Sequence, residues 1–224
     1  MPSRPLRRIA RRLLPTLAAL ALGGCASNEF TLEADLPGDF SLVGDARYSP
    51  PEGHHCDASA GDDLNRRIFA TPGHSERPYR VSYAVPLSLR SEGCTRVLSH
   101  IRLEMDGESA THPQDAVAPD ISFAHLSIRD RLPAGIRGMP KKGTRIFDGR
   151  CRWLLPDAAG GERQLQCHAS DINGSWFAGK PGGELQRDEL PGRTVRVAIG
   201  VAPDVPASAG RDNDQTLSAV ESSN

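Results

Sequence analysis

Five cysteines, at positions 25, 56, 94, 151 and 167, are the side chains of this sequence best suited to covalent chemistry. Cys25 stands apart, directly behind Leu22-Gly23-Gly24. Small residues there let a backbone enter a peptidase site, and the thiol then supplies a nucleophilic sulfur able to accept a diacylglyceryl group. The other four form an even set, which in an exported chain reads as two disulfides with three possible connectivities. Sequential pairing, Cys56–Cys94 and Cys151–Cys167, is preferred, and loops of these lengths are worth about 3–4 kcal/mol each on chain-entropy grounds, less any native strain. The rival is zinc held by His54, His55, Cys56 and His168. It lacks Cys-x-x-Cys or His-x3-His spacing, and exported thiols oxidise, so no metal is expected.

Other constellations that carry chemistry are incomplete. Gly174-Ser175-Trp176 lacks the second glycine of a nucleophile elbow. No His-Glu-x-x-His helix, P-loop or Gly-x-Gly-x-x-Gly follows a strand. The acidic stretch with Asp57, Asp62 and Asp63 lacks the alternating oxygens of a calcium loop and reads as solvated. Asp130, within Ser127-Ile128-Arg129-Asp130-Arg131, reads as part of a local ion-pair network. Trp153 alternates with Cys151 and belongs to a core. Trp176 and Phe177, between Gly174 and Gly179, are large aromatics in a glycine-rich loop, suited to partner contact or to a lid over a β core. With Asp57, Asp62 and Asp63 they are the candidate partner-binding residues. No catalytic residue and no cofactor is assigned, so the expectation is a binding protein, not an enzyme.

The leader positions Cys25. Five arginines and no acid precede a run of about ten apolar residues, 13–22, too short for a membrane-spanning helix, which needs about 20. Leu22-Gly23-Gly24-Cys25 resembles a lipobox, the processing site of bacterial lipoproteins. That resemblance implies that residues 1–24 are a signal peptide, that acylated Cys25 holds the chain on the periplasmic side of the envelope, and, since Ala26-Ser27 follow rather than an aspartate, that the membrane is the outer one. Two or three acyl chains hold a protein stably. Removing 1–24 leaves 22 basic and 28 acidic residues, a net −6. Phosphate binding wants a basic face, so nucleic acid is excluded as a partner.

The rest reads as all-β, either a disulfide-stapled sandwich or two packed β-subdomains. Residues 25–40 are expected to be anchor and linker, 41–203 a β-rich binding domain with possible halves 41–138 and 139–203, and 204–224 a disordered tail. Strands are expected at 41–48; at 79–89, with Pro86 marking an edge or bulge; at 97–105, with Val97, Ser99, Ile101, Leu103 and Met105 on one face; and at 122–128, with Phe123 and His125 opposite the apolar face. Residues 150–155 and a returning strand with Leu165 and Cys167 suggest a hairpin crossed by a disulfide. Residues 194–202 alternate most clearly, and 185–190 are at best a short helical turn.

Several segments recur in a telling order: Arg47-Tyr48-Ser49-Pro50-Pro51 with Cys56; Ala84-Val85-Pro86-Leu87-Ser88 leading to Gly93-Cys94; 126–132; Phe147 to Leu154 through Cys151; Leu165-Gln166-Cys167; and 188–195. Together, over about residues 40–203, they resemble the lipoprotein immunity proteins of type VI secretion systems, which neutralise phospholipase effectors, particularly phospholipase D-type ones, in the periplasm. No single segment is specific; order and cysteine placement carry the likeness. It implies a protein partner and no catalytic residues, and it transfers no contact positions. The alternative expectation is a structural or assembly lipoprotein binding another outer-membrane component.

Overall fold

Apolar residues at every second position build each long strand and give each sheet one face to bury. The computed structural model describes residues 28–56, 65–73, 75–91, 93–107, 121–155, 164–170, 179–203 and 205–206. These form β1 (Glu29–Leu36), β2 (Phe40–Ser49), β3 (Arg66–Ala70), β4 (Tyr79–Pro86), β5 (Ser88–Ser91), β6 (Cys94–Gly107), β7 (Ile121–Arg129), β8 (Arg145–Leu155), β9 (Gln164–Ala169), β10 (Gly182–Gln186), β11 (Thr194–Val201) and β12 (Val205–Pro206). A 3-10 turn, Arg187–Glu189, links β10 to β11. The described residues contain no α-helix.

The strands make two packed sheets. In the first, β8, β11, β1 and β4 lie side by side. Cys151 pairs with both Val201 and Cys167, and Leu154 with both Val205 and Gln164, so β12 prolongs the line of β11 while β9 takes the other side of β8. The second runs β10–β7–β6–β2–β3. Val97 pairs with both Ser49 and Ser88, which puts β5 on the β7 side of β6. β1–β11, β11–β8 and β7–β10 are parallel pairs. Both sheets draw strands from either side of the 135–143 break, so the all-β expectation resolves as one two-sheet sandwich rather than two β-subdomains.

Between the sheets lies one apolar core. Phe30, Leu32, Ala34 and Leu36 of β1 and Val195 and Val197 of β11 fill it from one side; Leu42, Leu98, Ile101, Leu103, Met105 and Leu126 fill it from the other. Each of these phenylalanine, leucine, isoleucine, valine and methionine side chains contributes about 1.5–3 kcal/mol by leaving water. Ser122, Ala124, Leu126 and Ile128 face inward as expected, and Trp153 is buried.

Several expectations about the strands need correction. Residues 29–36 are not linker: β1 sits between β11 and β4, and its alternate residues are all buried, because Phe30, Leu32, Ala34 and Leu36 supply a full period-two apolar face. The 79–89 strand is two strands. At Pro86–Leu87 the chain crosses from the first sheet to the second, with the Leu87 N–H donating to the Asn28 carbonyl (2.7 Å) and the Leu87 carbonyl accepting from Leu98 N–H (2.9 Å). The face expected for β6 also changes phase. Arg47 pairs with His100 but Tyr48 with Leu98, so Ser99 is an extra residue, a bulge that turns Val97 out and Leu98 in. Its hydroxyl donates to the Arg47 carbonyl at 3.0 Å. Finally Val205–Pro206, assigned by sequence to the tail, pair with Leu154–Leu155. Residues 1–24, expected to be a signal peptide, and residues 207–224 lie outside the described residues.

Candidate functional site

Cysteine positions follow from the strand register. Cys151 and Cys167 are direct cross-strand partners in the β8–β9 hairpin, both buried, and they are bonded. Cys94 opens β6 and is bonded to Cys56, beyond the end of β2, across a Cα–Cα span of 5.8 Å. The sequential connectivity is the one present. Cys56 therefore offers no thiolate, and His168 lies on β9, buried, far along the chain from the His54-His55 turn. Among the described residues no group of three His, Cys, Asp or Glu side chains converges as a metal site.

The remaining sequence-selected residues, Cys25, Asp57, Asp62, Asp63, Trp176 and Phe177, lie outside the described residues. Their flanks are placed. The 57–64 connection joins Cys56 to β3. The 171–178 connection leaves β9 and returns at Gly179, whose carbonyl accepts the Ala169 N–H at 3.0 Å. Pro181 then packs on the glycine face of Gly149, and its carbonyl accepts the His125 N–H at 2.8 Å. The Asp130 cluster is the ion-pair network expected of it. Arg187 pairs with Asp130 and also donates to the Leu98 carbonyl at 3.1 Å, and Arg129 grips Glu184 through two bonds of 2.7 and 2.9 Å.

Two surfaces have geometry that sequence reasoning missed. The first is the outer face of the β2–β6–β7 sheet. Arg102 lies 3.6 Å and Lys180 4.6 Å from the centroid of the Phe123 ring, so one aromatic side chain carries two cations. Next to it Asp45 accepts from Arg66 Nε at 2.8 Å and Arg47 Nε at 3.1 Å. Burial alone would raise its carboxyl, but the bonds from Arg66 and Arg47 outweigh that and hold it below the ordinary range. His100 and His125 stand on the same face, each lowered first by burial and then by neighbouring cations, Arg47 for His100 and Lys180 and Arg102 for His125. Arg102 also lies 3.4 Å from Glu104, so the charges of this face largely pair with one another. The outward alternation of Phe123 and His125 was legible, but their cationic neighbours come from β6 and from beyond β9, which no local pattern shows.

The second surface is a shallow groove of about 610 Å³ at the end of the sandwich where β1 finishes, lined by Leu36, Pro37, Pro78, Tyr79, Ile199 and Val201 among others. Val201, expected on the inward face of β11, is 43% exposed there. Asp35 and Arg80 form its polar rim, paired at 2.5 Å.

Comparison with protein-family models, with curated proteins and with solved structures finds no match to this chain.

Proposed function

We propose that the chain is a membrane-tethered periplasmic immunity protein that binds and inhibits a type VI-secreted phospholipase effector through its loops and outer faces, with no chemistry of its own. The observation that carries this reading is where the family-like segments fall. Residues 47–51 close β2 towards Cys56; 84–88 make the corner where the chain changes sheets; 126–132 end β7 and open the connection to β8; 147–154 and 165–167 are the disulfide-crossed hairpin; 188–195 run from the 3-10 turn into β11. All are scaffold. The segments with Trp176 and Phe177 and with Asp57, Asp62 and Asp63 lie between scaffold strands in the sequence, where recognition residues of binding folds are commonly carried. Acidic side chains suit a basic phosphate-binding cleft and speed the encounter by steering. Inhibition needs only a complementary surface over the active-site mouth, typically about 1,200–2,000 Å² in total.

An envelope assembly role is the second reading; the exposed groove at the β1 C-terminal end would suit another envelope component. The deciding measurement is phospholipid hydrolysis by the lipases encoded beside this chain, with and without the purified protein. Inhibition near stoichiometry is expected. Undiminished hydrolysis at saturating protein, for every such lipase, would leave the assembly reading.

A further inference from the structure

The corrected position of β1 fixes which end of the sandwich lies beside Cys25. Only Ala26, Ser27 and Asn28 separate that cysteine from Glu29, the first residue of a central strand. Four residues reach at most about 14 Å when fully extended. A lipid on Cys25 would therefore hold the β1 N-terminal end of the domain against the bilayer, with little freedom to turn away.

At that end one connection differs from the rest. Between β7 and β8, residues 130–144 carry four cations, Arg131, Arg137, Lys141 and Lys142, all exposed, against one acid, Asp130, which Arg187 already pairs. At its tip the Ile136 N–H donates to the Pro133 carbonyl at 3.2 Å, with Gly135 at φ 87°, a tight turn that leaves Ile136 45% exposed. Few large apolar side chains of the described residues are so open. The connection is built rather than loose. Met139 packs against the core and its N–H donates to Glu189 at 2.7 Å. The Arg193 guanidinium donates to the Pro140 carbonyl at 2.5 Å, and the Arg193 carbonyl accepts the Thr31 N–H of β1 at 2.8 Å. One residue thus ties the basic turn to the strand that leaves Cys25.

We propose that this connection is a membrane-apposed surface: Arg131, Arg137, Lys141 and Lys142 hold anionic phospholipid headgroups while Ile136 enters the interface. The proposal rests on the reading of Cys25 as the lipid-bearing residue. Basic side chains gain from an anionic surface only within about a Debye length, roughly 8–10 Å, and the short tether keeps them in that range. An apolar tip among cations is the composition of interfacial segments. The opposite end, with its groove, then faces the periplasm, and the acidic segment between Cys56 and β3, whose flanks lie at the β1 N-terminal end, would meet an effector at the membrane surface.

The test uses the protein purified from membranes and reconstituted into vesicles of phosphatidylcholine, or of an equal mixture with phosphatidylglycerol. A polarity-sensitive fluorophore on Ile136→Cys should shift to the blue and be quenched by brominated acyl chains in the mixed vesicles. The same label on Glu76→Cys, in the β3–β4 connection at the other end, should not. Combined Arg137→Glu, Lys141→Glu and Lys142→Glu should abolish the shift. In the unsubstituted protein, Lys141 and Lys142 should be protected from amine acetylation by the mixed vesicles. Protein that floats with vesicles and carries acyl mass, yet shows an aqueous label at 136 and unprotected lysines, overturns the proposal and leaves the anchor reading standing. Equal shifts in neutral vesicles overturn the headgroup assignment. A chain without acyl mass that fails to float overturns both.

Discussion

Glu33 and Arg196 are bonded at 2.8 Å although 163 residues separate them. They are register partners on the parallel pair β1–β11, and they form one corner of a four-charge network. Arg196 also lies 3.9 Å from Asp35, and Arg80 pairs with Asp35 and approaches Glu33 at 3.9 Å. Two acids on the central strand thus meet one arginine from each neighbour. Glu33→Gln should destabilise by about 1–2 kcal/mol, above the figure for an isolated surface pair, because a half-buried guanidinium loses its main partner. Urea unfolding of the two proteins measures it; a change below a few tenths would show the network to be ornamental.

Reduction should proceed in a fixed order. Cys151 and Cys167 are 0% and 5% exposed, whereas Cys56 and Cys94 are half-buried at the end of the sandwich. Thiol exchange requires access, so mild reductant should open Cys56–Cys94 while Cys151–Cys167 persists until unfolding. Timed alkylation with peptide mapping reads the sequence of events. Replacing Cys151 and Cys167 together by alanine should cost about 3 kcal/mol.

Acid should weaken the fold in two stages. His100 and His125 titrate below their usual 6.5, so their stabilising contribution is complete above that pH and is lost as pH falls through their lowered values. Asp45 is lowered from 3.8, and its contribution is lost further down, below that value. Denaturation midpoints should therefore begin to drop below about pH 6.5. Replacing both histidines by glutamine should flatten the first stage and leave the second. An unchanged slope between pH 7 and 5 in that variant would refute the assignment.

Gly182→Ala should detach β10. Gly182 has φ 123°, and a Cβ there would sit 1.8 Å from the His125 carbonyl oxygen, which belongs to backbone and cannot swing aside. Strain and overlap together should cost over about 2 kcal/mol. Hydrogen exchange at β7 and β10 amides should accelerate before the β1–β11 amides do.

Cys25→Ser should release the protein from the membrane fraction and block processing of residues 1–24. Retention with outer membrane at high salt would mean that something other than an acyl chain holds it.

Much of the architecture was legible because period-two alternation is local. β2, β7, β8, β9 and β11 lie where Leu42, Leu126, Trp153, Leu165 and Val197 placed them. β1 carries an equally regular pattern, yet its nearness to the expected signal peptide and the Pro37-Gly38 turn made it read as linker. The Ser99 bulge left no trace in residue type, since a serine fits either face. Parallel pairing of β1 with β11 and the cations over Phe123 join residues far apart in sequence, and neither composition nor period encodes such pairings. Both disulfides follow the preferred order of four cysteines.

The parallel neighbour of β1 also bears on how the chain acquires its shape. A strand at the start of the domain is completed only by β11, near its other extremity. Until Thr194–Val201 emerge, Phe30, Leu32 and Leu36 have β4 on one flank and an open edge on the other, so the first sheet cannot close during synthesis or passage of the earlier segments. Such distant closure makes folding slow and late. If the chain is exported as proposed, that delay is useful: the sandwich sets only when nearly all of it has arrived.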